Sequence, residues 1–388
     1  MPDREFLVPR SQAELVLEGL ALNAKQRKDM GPLSALQAAD DDEEALLRDR
    51  LLNLVGKGFE LPSQDWNLEL QVLPAPTPIP QPQGGARPVG RRAAERRETE
   101  PRIGATVAVL DTSIDDHHDL FGTVVASPTS IYDDKDQIVD EEGKPLNPAS
   151  SHATFVAGII AQQAPNARII VHKIVDDATA STTLLGLAQG LLTVARMGAQ
   201  VINLSVATAV TSDVGYAFPV EVALAGLRSE VPVIAAAGNQ GESGPRWPAG
   251  LSRVVAVGSA EPDPKEGGWV RSDFSNYGTW VNLWAPGRDV ESTYVDLPND
   301  NAKKKKKLSW AKWDGTSFAA AIVTGRVAAL MEEGEEEEEE AWVDPWGAIN
   351  RLLAVPGRVD LRGKEGEQLQ RGPLVEPDPR SGLKYRGR

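Results

Sequence analysis

The stretch Asp-Gly-Thr-Ser-Phe-Ala-Ala at positions 314–320 decides how this chain is interpreted, because an apolar helical pattern follows it directly. This order places the Ser317 hydroxyl in the first turn of a helix, where unpaired backbone N–H groups and the helix dipole stabilise developing negative charge. Ser and Thr are also common helix caps. Taken by itself, the stretch therefore predicts either a nucleophile or a simple cap.

A serine nucleophile needs a base near it, and the base is most often a histidine. The chain has 4 histidines, so there are few candidates. His152 precedes the small and apolar residues 153–160, which suit a buried helix with the histidine near its start. The alternative is a helix-terminal histidine without a chemical role.

Two further polar residues follow apolar runs that are typical of buried parallel strands. Asp111 follows the run 105–110, and Asn239 follows the run 233–237 and Gly238. Functional groups in open α/β sheets collect just beyond the carboxyl ends of strands. An aspartate there can orient a histidine, and an asparagine amide can donate to an oxyanion. Each residue could also be a simple turn former.

The four motifs together resemble those of the subtilisin-like serine proteases, the subtilase family, over about residues 103–355. The order Asp, His, Ser is the one known for subtilisins, so it is part of the resemblance. The resemblance implies that Asp111, His152 and Ser317 form a catalytic triad. It also implies that Asn239 and the Ser317 N–H form the oxyanion hole. The implied function is a serine endopeptidase acting on polypeptides.

Further segments resemble the substrate-binding walls of that family. The resemblance places substrate beside Ser205, Val206 and Ala207, and beside Ala237 and Gly238. The chain departs from the pattern by larger residues at three places in the cleft, which are Ser113, Ala153 and Ala207. These departures leave open a second hypothesis, a weakly active or inactive subtilase-fold module that binds or regulates another protein.

Strand and helix patterns alternate through the central part of the chain. Strands are predicted at 169–175, 201–206, 231–236 and 254–258, and helices at 182–197 and 219–228. Such alternation predicts right-handed crossovers between parallel strands. The expected fold class is α/β, a subtilisin-like doubly wound parallel sheet with helices on both faces, preceded by a small N-terminal α+β domain.

Composition shifts divide the chain into four parts. Residues 1–75 predict the small N-terminal domain, either a removable prodomain or an accessory domain that packs on the cleft or binds another protein. Residues 76–102 are rich in Pro and Arg and predict an extended linker, whose basic pairs suit either a cleavage site or an uncut basic linker. Residues 103–358 are predicted to form the catalytic domain, and 359–388 a polar tail that is expected to be poorly ordered from Gly363 onward.

The overall composition limits the partners and the cofactors. The formal charge of −15 disfavours nucleic acids and anionic membranes as partners. The chain has no cysteine, no apolar leader and no apolar run of membrane-spanning length, so cytoplasmic residence is expected. The long calcium loop of many subtilases is missing after the His152 helix, so no metal or other cofactor is expected. Calcium at the acidic segment 115–119 stays as the alternative.

Overall fold

The computed structural model describes residues 69–72, 86–92, 104–115, 117–120, 123–126, 151–175, 181–208, 218–265, 267–296, 307–332, 343–354, 358–362 and 368–387. Residues 1–68, which make up most of the predicted N-terminal domain, lie outside these ranges. The N-terminal domain therefore stays a prediction, except for its last strand.

The described segments contain sixteen strands and five α-helices. The strands are β1 (Glu69–Val72), β2 (Arg87–Arg92), β3 (Thr106–Asp111), β4 (Val124–Ala126), β5 (Arg168–Lys173), β6 (Ser181–Thr183), β7 (Val201–Leu204), β8 (Val206–Thr208), β9 (Val233–Ala236), β10 (Val254–Pro262), β11 (Trp269–Arg271), β12 (Leu283–Pro286), β13 (Val290–Asp296), β14 (Lys307–Trp313), β15 (Arg358–Arg362) and β16 (Gln368–Pro373). The helices are α1 (His152–Gln163), α2 (Leu184–Arg196), α3 (Phe218–Gly226), α4 (Thr316–Glu332) and α5 (Pro345–Ala354).

A ten-stranded sheet forms the centre of the molecule, in the order β16-β15-β11-β10-β9-β7-β3-β5-β4 with β12 also paired to β10. All neighbours from β4 to β10 are parallel, and β12 is parallel to β10. The apolar runs of β3, β7 and β9 are buried because helices cover both faces of the sheet. One core contains α1, α4 and α5, and the other contains α2 and α3. This arrangement confirms the predicted fold class.

The observed elements differ from the predicted ones mainly at their ends. The strand predicted over 201–206 is interrupted at Ser205, so that β7 belongs to the central sheet and β8 to a separate small sheet. The strand predicted over 254–258 continues to Pro262. None of the described helices is both long and apolar enough to cross a membrane.

The C-terminal residues correct the prediction that the tail is poorly ordered from Gly363 onward. Strands β15 and β16 pair with each other, and β15 pairs with β11, so this segment extends the central sheet. Leu374, Val375, Leu383 and Tyr385 are buried after it. The segment is polar on average, but three of these apolar side chains join the core that contains α1, Leu374 joins a smaller cluster around Trp284, and this packing holds the segment in place.

Two small sheets join the N-terminal part of the chain to the rest. In the first, β1 lies between β6 and β8 and is antiparallel to both. In the second, β2 adds to the β13–β14 hairpin as a third, antiparallel strand. The sequence predicts only a linker over 76–102, so the pairing of β2 is a feature that residue patterns did not indicate.

Candidate active site

Asp111 and His152 form the best-defined contact of the site. Asp111 is the last residue of β3, and His152 is the first residue of α1. The His152 Nδ1 atom lies 2.8 Å from Asp111 Oδ1 and 2.9 Å from Oδ2. Both residues are fully buried, so the carboxylate can fix the ring orientation and keep the proton on Nδ1.

Thr112 ties the strand that carries the aspartate to the helix that carries the histidine. Its backbone N–H donates to Asp111 Oδ1 at 2.7 Å, and its Oγ1 accepts from the Ala153 N–H at 3.1 Å. The N-cap residue of α1, Ser151, makes no side-chain capping bond. Thr112, which directly follows β3, therefore supplies the hydrogen-bond acceptor that an N–H group in the first turn of α1 needs.

Strand β13 holds α1 along its side. The Ser292 Oγ donates to the Phe155 carbonyl at 2.8 Å, and the Thr293 Oγ1 donates to the Thr154 carbonyl at 2.8 Å. This close approach requires Gly158, because a Cβ at that position would lie 2.1 Å from Thr293 Oγ1 and 2.4 Å from Ser292 Oγ. The helix that presents His152 is thus fixed by hydroxyl groups as well as by apolar packing.

Aromatic rings surround the imidazole of His152. The Trp313 ring meets it edge-on with 5.7 Å between centroids, and the Phe318 ring lies at 5.6 Å. Phe155 packs against both of these aromatic rings. The result is an apolar enclosure that limits water around the Asp111–His152 pair.

Ser317 lies in the first turn of α4, as the sequence predicts. The helix is almost completely buried, and its start is placed by a Gly315 N–H bond to the Gly287 carbonyl at 2.8 Å. The Ser317 Oγ and the His152 Nε2 are both buried, and neither makes a hydrogen bond among the described residues. The structure therefore contains the Asp111–His152 bond without a bond from His152 to Ser317.

Asn239 lies directly in front of this helix start. Its Oδ1 accepts from both the N–H and the Oγ1 of Thr316, each at 2.9 Å. The Thr316 Oγ1 in turn accepts from the Gly238 N–H at 3.1 Å. These bonds occupy the oxygen end of the side-chain amide and turn its Nδ2 towards Gly315, 3.8 Å from where a Cβ would stand. An amide held in this way can donate to an oxygen beside the Ser317 N–H.

The residues predicted to line the substrate cleft follow two neighbouring strands of the central sheet. Ser205 and the first residues of β8, Val206 and Ala207, are buried after β7. Ala237 and Gly238 follow β9, and Gly238 has φ 101°, where a side chain would be strained. Strand β1 occupies the space between β6 and β8, with Gln71 opposite Ala207 and Val72 opposite Val206.

A charged network lies on the outer side of the same helix start. Arg87 of β2 binds Asp314 at 2.9 Å and Asp289 at 2.6 Å. Burial alone would lower the pKa of Arg87, but the hydrogen bonds and charges of Asp314 and Asp289 raise it above its usual value. Burial would raise the pKa of Asp289, whereas Arg386 and Arg87 lower it overall. Sequence patterns did not indicate this network, because its members are far apart along the chain.

The acidic segment 115–119 packs against β14. His117 is buried with its Nε2 2.9 Å from the Ser309 carbonyl, and Asp119 Oδ2 accepts from the Trp310 indole N–H at 2.9 Å. Within the described residues, no group of three or more acidic or histidine side chains could hold a metal ion. The described part of this segment thus has a structural explanation in its contacts with β14.

The described part of the chain is thus an α/β protein whose mainly parallel central sheet and its helices carry a carboxylate, an imidazole and a hydroxyl where individual elements begin or end. Comparison with known sequences gives the family within that class. The profile of the Subtilase family (Peptidase_S8) matches residues 102–346, which is more than half of the chain. The chain belongs to the subtilase family.

Individual relatives agree with this assignment. The chain is 34% identical over 257 residues to the thermophilic serine proteinase of Bacillus sp. (strain AK1), covering 62% of this chain and 55% of that protein. It is 33% identical over 247 residues to thermitase of Thermoactinomyces vulgaris, covering 60% of this chain and 76% of thermitase. The chain thus spans about half the length of the first of these relatives.

Two solved structures align with the chain at lower identity. A cold adapted subtilisin-like serine proteinase aligns with a TM-score of 0.49 and 22% identity, covering 76% of this chain and 99% of that one. The prenylagaramide maturation protease PagA aligns with a TM-score of 0.47 and 25% identity, covering 68% and 88% respectively.

Proposed function

We propose that this protein is a serine endopeptidase in which Asp111, His152 and Ser317 form the catalytic triad. The observation that carries the proposal is the buried Asp111–His152 pair, whose bonds of 2.8 and 2.9 Å leave Nε2 as the acceptor. Because Ser317 lies nearby at a helix start, Nε2 can serve as the base that takes the proton of the serine hydroxyl. Membership in the subtilase family supports the same function.

In the proposed reaction, Ser317 Oγ attacks the carbonyl carbon of the scissile peptide bond while His152 Nε2 takes its proton. Asp111 stabilises the imidazolium that forms. His152 then gives the proton to the leaving amine, and an acyl-enzyme remains until water hydrolyses it by the same steps. In this proposal the bond between Ser317 Oγ and His152 Nε2 forms when substrate binds, since catalytic hydrogen bonds often tighten only in the complex.

The oxyanion of the tetrahedral intermediate is bound by the Asn239 amide and the Ser317 N–H. Thr316 holds the amide in advance, so little reorganisation is needed when charge develops. Removing one such donor typically costs about 100- to 1000-fold in kcat, a range that was established on a subtilisin.

Substrates are proposed to bind as extended polypeptides between β6 and β8. Strand β1 supports this view, because it is antiparallel to both neighbours and pairs through backbone groups. Strand addition of this kind gives affinity through main-chain hydrogen bonds and selectivity through alternate side chains. If substrate uses the same backbone groups, β1 competes with it in this conformation.

The decisive experiment is labelling with a fluorophosphonate, combined with cleavage of a peptide library. The wild-type chain should be labelled at Ser317 and should cleave internal bonds, whereas Ser317→Ala should do neither. Ser309→Ala is a suitable matched control, because Ser309 lies on the same strand that leads to the site. Labelling elsewhere, or none in a folded wild-type chain, would favour the binding-module hypothesis.

The role of β1 needs a separate variant. Gln71→Pro removes a backbone N–H from β1 and should release this strand from the space between β6 and β8. Labelling of Ser317 should then become at least about tenfold faster. Thr77→Pro is the control, because it adds a proline to a stretch that is already rich in proline. Equal labelling rates in the two variants would show that β1 does not compete with substrate.

A further inference from the structure

Strand β2 connects the N-terminal part of the chain to the strand that leads into the nucleophile turn. Arg87 lies opposite Lys312 and Pro88 opposite Ala311, with an irregularity in the pairing before Arg92 meets Ser309. Strand β14 ends at Trp313, and Asp314 follows it immediately before Gly315. The position of β2 thus bears directly on the residues in front of Ser317.

Arg87 bridges two carboxylates at this point. Its Nη2 atom lies 2.9 Å from Asp314 Oδ1 and 2.6 Å from Asp289 Oδ1, while Nη1 lies 3.3 Å from Asp314 Oδ2. The planar guanidinium can satisfy two carboxylates in a fixed geometry, which a lysine ammonium cannot do in the same way.

The two carboxylates belong to turns that contact each other next to the nucleophile. The Asp289 N–H donates to Asp314 Oδ1 at 2.7 Å, and the Gly315 N–H donates to the Gly287 carbonyl at 2.8 Å. Asp289 has φ 52°, an uncommon conformation for a residue with a side chain. A strained turn needs contacts that hold it in place, and Arg87 is one of them.

We propose that Arg87 is a positioning residue that fixes the turn 314–316 and thereby sets the placement of Ser317 and its N–H. This inference rests on the proposed endopeptidase function. Arg87 touches none of the reacting atoms and acts only through Asp314 and Asp289.

If Arg87 only stabilised the fold, its loss would lower the unfolding midpoint rather than the reaction rate alone. The Arg87 side chain is 43% exposed, and exposed ion pairs contribute little to global stability. Loss of Arg87 should therefore leave the unfolding midpoint nearly unchanged. Placement of the nucleophile is more sensitive, since a misplacement of about 1 Å can cost about 100-fold in rate.

The test compares Arg87→Ala, Arg87→Lys and the control Arg228→Ala in the full chain. Arg228 is also an exposed arginine paired with a carboxylate, but it lies on the turn after α3. Kinetics on a peptide substrate should show kcat reduced roughly tenfold in R87A with KM little changed, because the acylation geometry is affected rather than binding. R87K should recover part of the loss, and R228A should match the wild type.

Hydrogen exchange provides a readout that does not depend on activity. Amide exchange measured by mass spectrometry over 310–318 should be faster in R87A than in R228A, while exchange in α2 stays the same. Unchanged exchange over 310–318 in R87A would overturn the proposal, and so would an equal kcat in R87A and R228A. If the wild type itself fails to label at Ser317, the endopeptidase function fails as well, and the exchange result still decides whether Arg87 fixes the turn.

Discussion

The two sides of the site are held by different kinds of contact. On the side of Asp111 and His152, every holding group is buried, and the contacts are hydrogen bonds from Thr112, Ser292 and Thr293. On the side of Ser317, the inner contacts are buried as well, but the outer ones are ion pairs of partly exposed Arg87. His152 is thus held by the core, whereas the turn before Ser317 also contacts β2, a strand from the N-terminal segment.

This contrast separates two ways to disturb the same chemistry. Loss of a buried hydrogen bond leaves an unsatisfied group and strains the protein at the point of loss. Loss of an exposed ion pair changes global stability little, so its main effect is on the positions of the groups that the ion pair holds. Substitutions that remove a buried hydrogen bond should therefore lower the free energy of unfolding, whereas substitutions that remove the exposed ion pairs of Arg87 should mainly lower kcat.

The largest effect is expected for Asp111→Asn on the buried side. The asparagine keeps the size of the side chain but removes the charge that holds the His152 tautomer. We expect kcat to fall about 1000- to 10000-fold, as loss of the orienting carboxylate does in other serine proteases. Peptide kinetics give the measurement, and a folded variant that keeps near-normal kcat would remove Asp111 from the triad.

The next effect tests the inner contact of the nucleophile side. Thr316→Val removes the hydroxyl that donates to Asn239 and accepts from the Gly238 N–H. The asparagine amide becomes less well placed, so kcat should fall roughly 10- to 100-fold, less than for removal of an oxyanion donor itself. Thr316→Ser keeps the hydroxyl and serves as the control. Equal kcat values in the two variants would mean that the hydroxyl does not orient Asn239.

A smaller effect is expected for Thr112→Val, which tests how α1 is held. The substitution leaves the buried Ala153 N–H without its acceptor, which should cost about 1–3 kcal/mol in the free energy of unfolding. Chemical denaturation of Thr112→Val against Thr112→Ser measures this cost. Similar stabilities would show that α1 does not depend on the capping bond.

The smallest effect concerns acid and the outer ion pairs. The pKa of Asp289 is lowered in the folded protein, so its contribution to stability is complete above its ordinary value of 3.8 and is lost as pH falls through the lower folded value. Asp314, Arg87 and Arg386 are the charged groups that face it. The stability difference between wild type and Arg87→Ala, below about 1 kcal/mol, should therefore shrink as pH falls below about 4. Thermal unfolding from pH 6 to pH 3 measures it, and a difference that grows on acidification would contradict this reasoning.

The residues on the inner side of the site were predictable because each follows a local signal. Asp111 ends one apolar strand, and Asn239 closely follows another. His152 and Ser317 lie in the first turns of apolar helices. Thr112 and Thr316 adjoin these residues, so they could have been found by asking which polar neighbours hold them. The residue pattern of β3, β7 and β9 likewise predicted the parallel sheet.

The remaining features could not be predicted in the same way. Gly158 is a small residue in a helix, and only the approach of β13 shows why a side chain would not fit. Residues 368–387 belong to a segment that is polar on average, and only the pairing of β16 with β15 and the burial of a few apolar side chains show how it packs on the rest of the molecule. Arg87 lies in a stretch with the composition of a linker.

What the sequence determined by itself is the set of local elements and the chemistry at their ends, because apolar periodicity and helix-start residues act within a few positions of each other. Tertiary structure alone decided that β1 pairs between β6 and β8 and that Arg87 reaches Asp314 and Asp289. Those contacts join residues more than a hundred positions apart, and pairing over such distances depends on how the whole sheet packs rather than on any local pattern.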